Sequence, residues 1–131
     1  MILLANGKVI TRDPEGIGYL PDGGVVTDGG KIVEVGTTAD LKAKYPQAEF
    51  VDARGGVIMP GLINAHTHLP MTLMRGYGGG QDLQHWLNDF IFPAEAKLDQ
   101  RAVAAGTGLG LAEMIASGVT CVADMYMKTG T

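Results

Sequence analysis

At Pro60 this 131-residue sequence changes periodicity. Upstream, short β-type runs are broken by Gly, Asn and Asp: MILLANGKVIT, GGVVTDGGKIVEVG and AEFVDARGGVIMPG. Asn6-Gly7 and Asp28-Gly29 are turn pairs suited to left-handed backbone angles, and VVTDGGKIVEV reads as a hairpin. TADLKAKYP allows about two helical turns before Pro46, with Thr38 as the cap. Residues 1–59 thus predict a small sheet. Downstream the runs lengthen and helices enter. In DLQHWLNDFIFP, the residues Leu83, Trp86, Leu87, Phe90 and Ile91 fall at i, i+3, i+4, i+7 and i+8, one face of a helix that Pro93 ends. A second helix runs from a cap at Asp99 to a stop at Gly118, and VTCVADMY reads as a buried strand. Strand, helix, helix, strand is the opening of an α/β arrangement with a parallel sheet. GYGGG, residues 76–80, reads as a mobile loop.

Composition narrows the function classes. With 46% hydrophobic and 18% charged residues the chain can build a core. Its length falls short of the roughly 250 residues of a complete eight-stranded α/β barrel. A net charge of −4, with no stripe of Lys and Arg, argues against nucleic acid as a partner. The apolar run MILL is too short for a signal-peptide core or a membrane span, so a soluble, cytoplasmic protein is expected, without a membrane partner. The single cysteine, Cys121, excludes an internal disulfide; flanked by no positive charge in a buried-type strand, it reads as an inert core thiol.

The residues with chemistry are concentrated after Pro60. Side chains alternate along a strand, so His66 and His68 in INAHTHLP project to one side with Thr67 opposite. Two neutral imidazoles on one face can hold one metal ion, and a catalytic zinc keeps a position open for water. The spacing alone is weak evidence, and only with its position added does the metal reading weigh evenly against a bland pair of loop histidines. Its place, where a β-type run meets its loop, is where α/β barrels put catalytic groups. GTGLG, residues 106–110, departs from G-x-G-x-x-G and lies inside a helical pattern, so close helix packing explains its small residues. GGK at 29–31 is a turn, and His85 lies off the apolar face of its helix, toward solvent.

VIMPGLINAHTHLPMTLMRG resembles the first barrel strand of the amidohydrolase superfamily, which carries Pro-Gly-apolar-apolar-x-x-His-x-His there. LQHWLNDFIFPAEAKL and EMIASGVTCVADMY resemble its cytosine deaminase and chlorohydrolase branch, above all the 5-methylthioadenosine/S-adenosylhomocysteine deaminases. The N-terminal β segment is similar to that branch's small composite β-sandwich. The resemblance implies an α/β chain: residues 1–59 form part of the sandwich, and 60–131 form the first two strands and intervening helices of an incomplete (β/α)8 barrel.

It further implies that His66 and His68 are the first two ligands of one divalent metal, zinc first and iron as the alternative. Glu95 in FPAE would accept hydrogen bonds from ribose hydroxyls, having two oxygens with several lone pairs, and Trp86 would border the base. Read without the family, Glu95 is an acidic residue favoured at a helix start, Trp86 is core packing, and Asp124 is either metal-shell support or a turn cap. The implied reaction is hydrolytic deamination of a purine nucleoside, of the S-adenosylhomocysteine, methylthioadenosine or adenosine type, by metal-bound hydroxide with ammonia release. Guanine or cytosine deamination, triazine dechlorination and a non-catalytic assembly module are the alternatives. The remaining ligands and the proton-shuttling glutamate lie on later strands in the family. The expectation is therefore an N-terminal fragment, inactive alone, without a catalytic residue of its own, and self-associating to cover its exposed faces.

Overall fold

The computed structural model describes residues 1–16 and 18–126, in two units, Met1–Pro60 and Gly61–Thr131. The first unit is a mixed sheet around β1 (Ile2–Ile10). β2 (Tyr19–Asp28) pairs antiparallel with β1, and β3 (Lys31–Thr37) pairs antiparallel with β2. After helix α1 (Thr38–Lys44), β4 (Glu49–Asp52) and β5 (Val57–Ile58) both add to β1 in parallel. Leu41 of α1 is fully buried and forms the core with Leu3, Ala5 and Val26. On the sheet, Ile2, Leu4, Val25, Ile32 and Val35 line an apolar cavity of about 410 Å³.

The expected hairpin forms. Asp28 pairs with Lys31 across Gly29 and Gly30, whose φ angles of 54° and 77° suit the two-residue turn that needs a left-handed backbone at both positions. Asn6-Gly7 corrects the other expectation. Asn6 is left-handed at φ 58°, yet the chain does not turn: β1 continues through it, with register shifts on either side of Gly7. It is a bulge, and the shifts on its two sides cancel, so the buried positions keep one parity from Leu3 and Ala5 to Val9. Tertiary bonds hold it there, since Asn6 N–H donates to Thr38 Oγ1 (3.1 Å) and Asn6 Nδ2 to Asp52 Oδ1 (2.9 Å). The helix cap also moves by one residue. Thr37 caps α1, its hydroxyl accepting from Asp40 N–H, whereas Thr38 is buried and donates to Asp22 Oδ1 (2.7 Å).

In the second unit β6 (Leu62–Thr67) and β7 (Val119–Asp124) pair in parallel, as the α/β pattern predicts. Between them lie a 3-10 helix (Leu69–Met74), α2 (Leu83–His85), a π-helical turn (Trp86–Ile91), α3 (Phe92–Glu95) and α4 (Gln100–Ala116). Asp99 caps α4 by accepting from Ala102 N–H (2.7 Å), and Gly118 follows its end at φ 82°. α4 lies close against the 3-10 helix through buried Gly106 and Gly110, with Thr72 Oγ1 donating to Gly106 O (2.7 Å).

Pro93 does not end the helical path, as its ring and missing N–H suggest. The turn before it widens, Phe92 N–H bonding to Leu87 O five residues back, and the path continues to Glu95. Trp86, Leu87, Phe90 and Ile91 of the predicted apolar face are buried or half-buried, whereas Leu83 at the helix start is 62% exposed. β7 departs from its buried reading too, because β6 is its sheet partner among the described residues and Cys121 is left exposed. Among the described residues no helix is long and apolar enough to cross a membrane.

Candidate functional site

His66 and His68 leave β6 at its carboxyl end, and the backbone around them is held at three points. Asn64 Oδ1 accepts from His66 N–H (3.2 Å), Met125 N–H donates to Thr67 O (3.0 Å), and Asp124 Oδ1 accepts from Leu69 N–H (3.1 Å). Asp124 is thus a cap for the 3-10 helix that begins after His68. Both histidines are exposed while Thr67 turns inward. Their Nε2 atoms stand 3.2 Å apart, with the rings 5.1 Å between centroids and 74° between planes.

That separation can be tested against a metal. With zinc–nitrogen bonds of about 2.0–2.1 Å, tetrahedral ligands sit roughly 3.3–3.4 Å from each other, so the pair fits one shared ion. Without a cation, one ring nitrogen must keep its proton and donate to the other. With one, both Nε2 lone pairs converge and the protons reside on Nδ1. Among the described residues no group of three or more His, Cys, Asp or Glu side chains could hold a metal.

His68 also lines a cavity of about 440 Å³ with Trp86, Glu95 and Tyr126, whose apolar walls come from Met71, Leu87, Ile91, Phe92 and Met125. His66 is outside that lining. Trp86 is half-buried at the start of the π-helical turn, and its Nε1–H donates to Tyr77 O (3.0 Å), tying down the glycine-rich turn at 76–80. The π-helical turn carries Trp86, Leu87 and Ile91 to the cavity wall. Glu95 is half-buried at the end of α3. The helical path runs unbroken through Ile91 and Phe92, so the free helix start that would favour an acid near Pro93 does not exist. His85 is away from the cavity, exposed and paired with Asp82 through Nδ1 and Oδ2 (2.5 Å), which holds the Asp82 carboxyl below the usual range.

Sequence reasoning missed Tyr126. The available signal was its place two residues past Asp124, at the carboxyl end of a strand parallel to the histidine strand. Its hydroxyl is buried, and its pKa is pushed up to about 12, first by burial and then by Glu95 and Asp124.

The amidohydrolase family profile matches residues 57–131, and that of the imidazolonepropionase-like composite domain of bacteria matches residues 23–48. The chain is 50% identical over 125 residues to a 5'-deoxyadenosine deaminase of Methanococcoides burtonii, covering 95% of this chain and 28% of that protein. It is 48% identical to a 5-methylthioadenosine/S-adenosylhomocysteine deaminase of Syntrophobacter fumaroxidans, covering 96% and 28%. Among solved structures, a zinc-bound adenosine deaminase from Xanthomonas campestris superimposes with a TM-score of 0.79 at 37% identity, covering 97% of this chain and 29% of that one. The chain thus spans between a quarter and a third of the length of each.

Proposed function

This chain belongs to the amidohydrolase family, and from that premise we propose that it carries the first metal ligands and part of the substrate pocket of a purine nucleoside deaminase. The observation that carries the reading is the placement of two Nε2 atoms 3.2 Å apart beside a cavity shared by His68, Trp86 and Glu95. Relatives named for 5'-deoxyadenosine and for 5-methylthioadenosine and S-adenosylhomocysteine support an adenine nucleoside whose 5' substituent varies. A cavity walled by Met71, Ile91, Phe92 and Met125 suits the apolar faces of such a ligand.

His66 and His68 would hold a divalent ion through Nε2. Zinc is favoured by the nitrogen donor set and by the zinc in a structural relative. When bound, such an ion supplies the Lewis acidity that makes water a nucleophile near neutral pH. The chain's own residues bind and orient. Glu95 offers a carboxylate to the ribose diol, and Trp86 offers a ring edge or face to the base while its indole N–H stays on Tyr77 O. Residues 60–131 are then the start of a barrel and residues 1–59 one layer of a composite β-sandwich, with the Ile2, Leu4 and Val25 face as the layer's inner side.

Elemental mass spectrometry on the purified chain, beside its His66→Ala, His68→Ala double variant, tests the metal half. The expected result is zinc or iron that disappears in the variant. For the substrate half, Glu95→Gln should weaken adenosine binding about tenfold or more, through loss of a charged acceptor, and leave 2'-deoxyadenosine unchanged. Equal losses for both ligands would count against a diol contact.

A further inference from the structure

Tyr126 stands in the cavity wall, and neither the fold nor the histidine pair accounts for its hydroxyl. The oxygen is sealed from solvent and makes no hydrogen bond of ordinary geometry among the described residues. A buried O–H without an acceptor is costly, and phenylalanine would fill the same space without that cost. The hydroxyl therefore calls for an acceptor within a small movement. Two carboxylates bear on it. Asp124 already accepts the Leu69 N–H at Oδ1. Glu95 shares the wall of the same cavity, and after burial it is the leading cause of the raised phenol pKa, ahead of Asp124. An O–H to carboxylate bond is charge-assisted, and a carboxylate that takes one O–H keeps lone pairs for a vicinal diol.

We infer that Tyr126 is the positioning residue for Glu95: its O–H donates to one carboxylate oxygen and turns the other toward the ribose diol of a nucleoside in the cavity. This rests on the reading of Glu95 as the diol acceptor. The bond fixes the carboxylate of a half-buried glutamate at the end of its helix. Trp86 is the single tryptophan of the chain and lines the same wall, so its fluorescence reports occupancy directly.

The test uses the 131-residue chain with carbon-13 labels on the Glu carboxyl and Tyr ring carbons, and adenosine and 2'-deoxyadenosine as probes. Tyr126→Phe should shift the Glu95 carboxyl resonance. Glu95→Gln should shift the Tyr126 ring resonance, a reading that does not depend on Tyr126→Phe folding well. By Trp86 fluorescence, Tyr126→Phe should lower the preference for adenosine over 2'-deoxyadenosine about three- to tenfold, and should have no further effect once Glu95 is Gln. Unmoved resonances in both variants overturn the inference, whatever Glu95→Gln does to diol selectivity. Moved resonances with diol preference intact in Glu95→Gln uphold the Tyr126 bond to Glu95 and overturn instead the reading of Glu95 as the diol acceptor.

Discussion

Asp124 fixes the backbone just beyond His68 by accepting the Leu69 N–H. Asp124→Ala removes an acceptor from the start of the 3-10 helix and should cost about 0.5–2 kcal/mol, whereas Asp124→Asn keeps an oxygen there and should cost less. Zinc affinity of the two variants, followed by competition with a chelating dye, should fall in the same order, because the cap sets the angle at which His68 leaves the strand. Glu34 illustrates a different residue-scale effect. Hydrogen bonds from Lys44 Nζ (2.6 Å) and then Tyr45 Oη (2.6 Å) hold its carboxyl below the usual range. A carboxylate depressed in the folded state contributes stability above its unfolded pKa and loses it as pH falls through the lowered value. The chain should therefore show an acid-side decline in unfolding midpoint that Glu34→Gln makes shallower, read by thermal melts from neutral to acid pH. At this scale the histidine pair was legible, since strand alternation alone brings i and i+2 together. Tyr126 was not, because its significance depends on Glu95, which is remote in sequence and brought near only by the helical path between them.

At the scale of elements, the glycines of GTGLG separate packing from propensity. A Cβ on Gly106 would meet Pro70 O at 2.6 Å, and one on Gly110 would meet Leu69 Cδ2 at 2.9 Å, while one on Gly108 meets nothing within 4 Å. Gly106→Ala must push the 3-10 helix away and should destabilise by about 1–3 kcal/mol. Gly108→Ala should stabilise by about 0.5–1 kcal/mol, since it replaces a glycine in an unobstructed helix position. Denaturant midpoints of the two variants should move in opposite directions. Close packing at these small residues is what their helical setting suggested, yet that Gly106 and Gly110 make the contact and Gly108 does not could be decided only by the partner helix. The π-helical turn marks the corresponding limit. Proline predicts a stop from local sterics, but a five-residue hydrogen bond ahead of it accommodates the ring and keeps Glu95 on the same helical path as Trp86. The bulge at Asn6 follows the same logic: its left-handed angle was readable in Asn-Gly, but Thr38 and Asp52 hold it inside a strand.

For the molecule as a whole, the two units bury little of what the sequence marked as core. Ile32 is 69% exposed on β3, Ile63 69% on β6 and Ile115 73% on α4. Val33, Val57 and Leu109 add to this surface. Alternation and helical spacing identify apolar positions, but they do not say which layer covers them; a strand pattern reads as buried whether its cover is local or distant in the chain. The first unit does bury one face, where Leu41 closes on Leu3, Ala5 and Val26, and Leu41→Ala should cost about 2–5 kcal/mol there. Its other face and both faces of the β6 and β7 pair lack such a closure among the described residues, and unpaired strand edges with adjacent apolar patches favour association. The 131-residue chain should therefore sediment as a concentration-dependent mixture and bind an apolar dye such as ANS. Dilution should release monomer without loss of secondary structure, since the local cores and caps remain. A single monomeric species across a hundredfold concentration range, with no dye binding, would mean that these side chains find their cover within one chain. The exposed reading of Ile63 and Cys121 would then have to give way to a packed one.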